Sequence, residues 1–330
     1  ANSDLDEKII KKEPILLITG PDLTPPRYVR NFALTSLAFA TTGFFSAGVW
    51  VGNGEMEERI QNLNLAGQAY QDKIVDSNIG GVFVSMCFLF LVHDLAHKFV
   101  ASRKNFDMSV PTILPFTVTG NLGAVTRLKS SPLDRASLFD FALSGPLVGL
   151  LFSLGALFVG LTLTVAMDGG ANTGAYDFLP ALSAEFIRQS ALVSGIVSAI
   201  LGPETLAVTD PATTLIPMHP FAVTGVIGVL INSLNLLPLG SSDGGRIAQA
   251  VFGREFARNS LFISYLCLFL SYRTDLVIPG YILYNFVLQS EAEIPCRNEV
   301  DGLDAPRLIL AAFSLFVAFA GCTPAAFFSQ

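Results

Sequence analysis

The stretch LVHDLAH, residues 91–97, places two histidines four positions apart at the end of an apolar run that begins near Ile79. Side chains at positions i and i+4 of a helix lie on one face, so His93 and His97 can bind one metal ion. Asp94 occupies the position that glutamate holds in the H-E-x-x-H pattern, where the carboxylate acts as a general base. Because two histidines do not complete a zinc site, the pattern predicts a third ligand elsewhere in the chain.

The composition is typical of a membrane protein. Of the 330 residues, 51% are hydrophobic and only 14% are charged, whereas a soluble chain has about a quarter charged residues. The charges lie between long apolar runs, which predicts an all-α polytopic membrane protein with about six to eight transmembrane helices in a lipid bilayer. The net charge of −7, without a strongly basic block, argues against a nucleic-acid partner.

The apolar runs also predict how the chain is divided. Runs long enough to cross a bilayer lie at 31–50, 79–101, 138–167, 215–239 and 307–327. Two shorter runs, 260–272 and 276–289, predict a helical hairpin, whereas 190–202 is too short to span easily. We therefore expect a polar lead-in at 1–30, a first span and polar loop at 31–78, a membrane core at 79–290, and a loop with a C-terminal span at 291–330.

One apolar segment is not predicted to form a helix. Residues 110–129, VPTILPFTVTGNLGAVTRLK, contain prolines, glycines and many β-branched residues, which predicts a short β or re-entrant segment. At membrane depth such a backbone is tolerated only where it packs in protein or lines a cavity.

The basic residues predict the orientation. Of the 20 lysines and arginines, only Arg59, Lys73, Arg188 and Arg273 fall on the side opposite the N-terminus. The N-terminus is therefore expected to face the cytoplasm or its organellar equivalent. This orientation brings the ends of the second and fourth spans to the same membrane face.

Asp243 is the best candidate for the third ligand. It lies in SSDGGR, just after an apolar span, where Gly244 and Gly245 are expected to let the backbone turn tightly. Three protein ligands with one open position are the pattern of catalytic zinc. The metal would lower the pKa of a bound water to about 7 and polarise a peptide carbonyl, and Asp94 would act as base and then as acid.

Each of these residues also has a structural interpretation. Asp243 alone is typical of a turn or a helix cap, and Asn232 and Asn235 are typical of hydrogen bonds between membrane helices. The motif SGPLVG, residues 144–149, is typical of close helix packing. His219 lies at the start of the fourth span and is expected at the membrane interface.

Three motifs in chain order resemble the site-2 protease family of intramembrane zinc metalloproteases. They are HDLAH at 93–97, SGPLVG at 144–149 and NLLPLGSSDGGR at 235–246. The blocks at 120–135 and 228–255 are similar to the plastid branch of that family, the ethylene-dependent gravitropism-deficient and yellow-green type. The resemblance covers about 79–290.

This resemblance implies a site and a function. His93, His97 and Asp243 would bind Zn²⁺, Asp94 would be the catalytic base, and Asn235 would hold the backbone of the substrate. The chain would hydrolyse peptide bonds of membrane-protein substrates. Its location would be the plastid thylakoid or another plastid membrane, with the N-terminus on the stromal side.

Two departures from the family pattern keep a second hypothesis open. Aspartate is one methylene shorter than glutamate, so the carboxylate of Asp94 falls back by about 1.5 Å, and a misplacement of about 1 Å can cost a hundredfold in rate. Ser242 replaces an apolar residue before DGG. The chain would then be a weakened protease, or an inactive member that serves as a structural or assembly subunit of a photosynthetic membrane complex. A transporter is a third hypothesis, but the absence of an internal repeat argues against it.

Overall fold

The computed structural model describes residues 28–51, 80–168, 179–255, 277–289 and 293–325. The described helices are α1 (Tyr28–Val51), α2 (Gly80–Arg103), α3 (Arg135–Asp168), α4 (Ala184–Arg188), α5 (Ala191–Leu201), α6 (Pro220–Asn235), α7 (Asp243–Phe252), α8 (Val277–Leu288) and α9 (Ala305–Cys322). The described strands are β1 (Thr112–Phe116), β2 (Gly120–Val125), β3 (Ala181–Ser183) and β4 (Leu215–Pro217).

The described helices include four that are long and apolar enough to cross a membrane, namely α1, α2, α3 and α9. Three shorter apolar helices, α5, α6 and α8, accompany them. The predicted all-α polytopic architecture with a short β segment is therefore confirmed. The run at 260–272 lies outside the described residues, and the division into segments stays a prediction.

The segment at 110–129 forms the β-hairpin that its composition predicts. Strands β1 and β2 pair antiparallel, with a register shift between Ile113 and Pro115. Helix α1 packs along this hairpin: the Thr41 hydroxyl donates to Gly120 O over 2.5 Å, and Asn121 Nδ2 donates to Thr42 Oγ1 over 2.9 Å. These bonds satisfy polar groups that would be costly in an apolar environment.

The predicted fourth span, 215–239, is wrong at both ends. Its first residues form β4, which pairs with β3, and the helix begins only at Pro220. Proline lacks an N–H and favours the first turn of a helix, and His219 caps this turn by accepting a bond from Phe221 N over 3.2 Å. The helix ends at Asn235, three residues before Pro238.

Helix α6 lies in the interior of the protein. Fifteen of its residues, Pro220 and Ala222–Asn235, are buried. At 16 residues it is about 24 Å long, which is less than the hydrocarbon thickness of about 30 Å. A Cβ at Gly225 would overlap the backbone of Leu157, so this glycine allows α3 to approach closely. Helix α3 packs against both α2 and α6, which also contact each other, and it contacts α7 as well.

Candidate metal centre

The structure brings together the three predicted metal ligands. His93 Nε2 and His97 Nε2 are 3.2 Å apart, and Asp243 Oδ2 lies 3.6 Å from the first and 3.3 Å from the second. The two histidines lie on consecutive turns of α2, and Asp243 is the first residue of α7. All three residues are buried.

The geometry of this triangle fits a tetrahedral metal ion. Zinc binds histidine nitrogen and carboxylate oxygen at about 2.0–2.1 Å, and the corners of such a tetrahedron are about 3.3 Å apart. The three measured edges, 3.2, 3.3 and 3.6 Å, surround this value. One ion can therefore contact all three atoms and keep a fourth position open.

The outer nitrogens of both histidines have acceptors that orient the rings. His93 Nδ1 lies 3.0 Å from Asn232 Oδ1, and His97 Nδ1 lies 2.9 Å from Phe141 O. Asn232 is itself held, because its Nδ2 donates to Gly228 O over 2.8 Å. With the proton on Nδ1, each Nε2 presents its lone pair to the centre, as in many zinc sites. The hydrogen bond between helices expected of Asn232 is therefore present, and its partner is one of the two candidate histidine ligands.

A glycine face of α3 leaves room for the ion. A Cβ at Gly145 would overlap His97 Nε2 and lie 2.7 Å from His93 Nε2. One turn later, a Cβ at Gly149 would overlap the Asn232 side chain. The motif SGPLVG therefore borders the metal centre, and the interpretation as helix packing alone is incomplete.

Asp94 is not part of the ligand group. It is half-buried on α2, and its Oδ1 is buried without a hydrogen-bond partner among the residues that the structure describes. A carboxylate oxygen without a donor is free to accept a proton.

Asn235 and His93 line the same small cavity. The cavity is lined by His93, Asn232, Asn235 and Gly123, among others. Asn235 Oδ1 accepts a hydrogen bond of 3.0 Å from the Tyr281 hydroxyl, and its Nδ2 would be 3.3 Å from a Cβ at Gly123. The cavity thus extends from His93 to the residues Gly123 and Ala124 of β2.

Two buried charges beside Asp243 were missed from the sequence. Arg246 Nη1 donates to Asp243 Oδ1 over 3.2 Å, and Arg246 Nε donates to Glu293 Oε2 over 2.8 Å. Arginine within DGGR and an acidic loop at 290–306 were both visible in the sequence. Their pairing was not, because 47 residues separate the two side chains.

The predicted reason for the glycines after Asp243 is wrong. Gly244 and Gly245 lie within α7, and neither has a positive φ. A Cβ on Gly244 would overlap Leu236 O, so the glycine allows a close approach of the preceding chain. Ser242 caps the helix by accepting a bond of 3.2 Å from Gly245 N, which explains a serine at a position where an apolar residue was expected.

The fold and the site together define a polytopic membrane protein with a buried centre of two histidines and one carboxylate. Residues 81–271 match the model of Peptidase family M50, and the chain belongs to this family. The resemblance to the site-2 proteases is thereby confirmed.

The chain is also similar to curated proteins that are named as zinc metalloproteases. The chain is 31% identical over 230 residues to "Probable zinc metalloprotease EGY1, chloroplastic" of Arabidopsis thaliana. The aligned residues make up 69% of this chain and 40% of that protein. It is 30% identical over 227 residues to the protein of that name in Oryza sativa subsp. japonica, covering 69% and 37%. It is 30% identical over 233 residues to EGY2 of Arabidopsis thaliana, covering 71% and 39%. The chain thus spans about two fifths of the length of these relatives, and no solved structure matches it.

Proposed function

We propose that the chain is an intramembrane zinc metallopeptidase of the site-2 type, in which His93, His97 and Asp243 bind Zn²⁺. The observation that carries this proposal is the buried triangle of ligand atoms with edges of 3.2, 3.3 and 3.6 Å. The fixed Nδ1 partners of both histidines and the space beside Gly145 support the same metal. The printed names of the relatives support zinc as its identity.

A bound zinc ion supplies Lewis-acid activation of a water molecule and of a peptide carbonyl. Asp94 would accept the proton of the attacking water and then deliver it to the leaving amine, and its Oδ1 has no hydrogen-bond partner within the described part of the chain. The acceptors at Nδ1 of His93 and His97 fix the ring proton on that nitrogen and leave Nε2 as the metal-binding atom. The shorter side chain of Asp94 makes the proton transfer slower than with glutamate.

The substrate is an unwound segment of a membrane protein in the lipid bilayer. Strand β2 pairs with β1 along one edge, and its other edge has no strand partner among the described residues. A peptide that adds to this edge gains main-chain hydrogen bonds. A peptide on this edge would lie beside the small cavity that Gly123, His93 and Asn235 line, and Asn235 Nδ2 would donate to its backbone.

The protein resides in a plastid membrane, specifically the thylakoid, with its N-terminus on the stromal side. The relatives' names, which include "chloroplastic", support the organelle. The concentration of lysine and arginine on the N-terminal side of the membrane supports the orientation.

The test uses the full chain in lipid vesicles with a reporter protein that has one membrane-spanning helix. We expect one equivalent of zinc and slow cleavage of the reporter, and neither with the His97→Ala variant. If zinc is bound but neither the parent nor Asp94→Glu cleaves any reporter, the peptidase proposal fails. That result would favour the inactive subunit of a photosynthetic membrane complex, which would co-purify in fixed stoichiometry.

A further inference from the structure

A fully buried arginine lies directly behind the proposed metal ligand Asp243. Arg246 is 1% exposed and follows one turn later on α7. Its Nη1 donates to Asp243 Oδ1 over 3.2 Å, while Asp243 Oδ2 faces both histidines. The two oxygens of one carboxylate are therefore divided between a fixed cation on one side and the metal position on the other.

The charge of Arg246 is balanced from a distant part of the chain. Its Nε and Nη2 lie 2.8 and 2.7 Å from Glu293 Oε2. Glu293 is 6% exposed, and its Oε1 accepts a bond of 2.9 Å from Ile294 N. Glu293 follows the residues matched by the family model, which end at 271. Buried ions are destabilising unless they are paired and hydrogen-bonded, and this pair satisfies that condition.

Two further contacts hold the guanidinium of Arg246. Arg246 Nη2 donates to Thr126 O, just after β2, over 2.6 Å. The guanidinium carbon lies 5.4 Å from the centre of the Phe141 ring, whose backbone oxygen holds His97. The same arginine thus contacts α3, the end of the hairpin and the segment after α8.

We infer that Arg246 and Glu293 are positioning residues for the metal, acting through Asp243. Arg246 prevents rotation of the carboxylate, so that Oδ2 stays directed at His93 and His97. Glu293 neutralises a cation that would otherwise repel a divalent ion in a medium of low dielectric constant. A segment beyond the family match therefore sets the metal affinity. This inference rests on the proposed function, since it needs a metal at the three ligands.

A purely structural role makes a different prediction. A buried ion pair that only fills space can be replaced by two apolar residues with little loss of stability. The double variant Arg246→Met with Glu293→Met removes both charges of the pair at once, so that neither Arg246 nor Glu293 is left without the other, and Asp243 loses only the bond to its Oδ1. A structural pair would give this variant both parental stability and parental zinc affinity, whereas a positioning pair would give it stability without affinity.

The experiment measures zinc affinity of the full chain in detergent micelles, by competition with a chelator of known affinity. The probe is Zn²⁺ alone, and thermal unfolding of the metal-free protein is followed in parallel. His97→Ala serves as the reference without a site. Arg307→Gln is the matched control, because Arg307 forms a two-point pair with Asp140 at 2.7 and 2.8 Å and bonds to none of the three ligands.

We expect zinc affinity to fall about 10–100-fold in Arg246→Met, in Glu293→Gln and in the double variant. The double variant should unfold at nearly the parental temperature, and Arg307→Gln should keep parental affinity. Parental affinity in the double variant would overturn the inference, and parental affinity in Glu293→Gln alone would overturn the part assigned to Glu293. A parent that binds no zinc would refute the proposed function, which is a separate result.

Discussion

The two halves of the metal centre are built in different ways. The histidine half is local: His93 and His97 are four residues apart on one helix, and helical geometry alone places them on one face. The carboxylate half is assembled from distant parts of the chain. Asp243 is positioned by a serine cap, by glycines packed against preceding carbonyls, and by an arginine held by Glu293.

This difference separates what a short motif specifies from what only the folded chain provides. A motif in a regular helix fixes directions, so the histidine pair needs few outside contacts to converge. The direction of a ligand side chain at the first residue of a helix is not fixed in this way, so it depends on capping and charge pairing. Variants in the two halves should therefore differ in their effects on zinc binding and on stability.

The largest expected effect is on zinc binding by the histidine half, and it tests whether contacts from another helix also matter there. In Gly145→Ala, on α3, the added Cβ would overlap His97 Nε2. We expect loss of stoichiometric zinc, measured by elemental analysis of the purified protein. Gly155→Ala is the control on the same helix, because a Cβ there meets nothing within 4 Å, and it should keep its zinc. Full zinc in Gly145→Ala would contradict the geometry of the centre.

Much of the site was predictable because its determinants are periodic or compositional. The spacing of His93 and His97 gave the pair of ligands, and Asp243 was found as a carboxylate at the end of a span on the same membrane face. The prolines, glycines and β-branched residues of 110–129 predicted the hairpin. Each of these signals lies within a short window of sequence.

The rest depends on contacts between residues far apart in the chain. Asn232 reaches His93 across 139 positions, and Glu293 reaches Arg246 across 47. Gly145 was assigned to packing because a helix face rich in small residues is the same pattern whether its neighbour is a helix or a metal. The start of α6 was misplaced because the strand β4 is apolar too, and hydropathy alone does not separate the two.

The second prediction concerns Asp94, which belongs to the local half but does not bind the metal. Asp94→Glu restores the longer side chain and should raise cleavage of the reporter by up to about a hundredfold. Zinc affinity should not change, because this residue is outside the ligand group. Asp94→Asn should bind zinc and cleave nothing. A rate for Asp94→Asn equal to that of the parent would remove Asp94 from the mechanism.

The third prediction compares two asparagines on α6 that lie one turn apart. Asn232→Ala removes the acceptor of His93 Nδ1 and should weaken zinc binding by about 10–100-fold. Asn235→Ala removes the acceptor of the Tyr281 hydroxyl. In the parent, Asn235 forms no hydrogen bond with either histidine. It should keep parental zinc affinity and cleave the reporter more slowly. Equal zinc affinities in the two variants would show that Asn232 does not orient the ring.

The smallest effect tests the carboxylate half through its helix cap. Ser242→Ala removes the bond from Gly245 N and should lower the free energy of unfolding by about 1 kcal/mol. Ser190→Ala removes an equivalent cap, the bond of 3.3 Å from Val193 N, at the start of α5 and should cost about the same. Only Ser242→Ala should also weaken zinc binding, by less than about tenfold, since the start of α7 carries Asp243. If both variants lose stability equally and neither loses affinity, then Arg246 and the close glycine contacts suffice to hold the carboxylate, and the cap serves the helix alone.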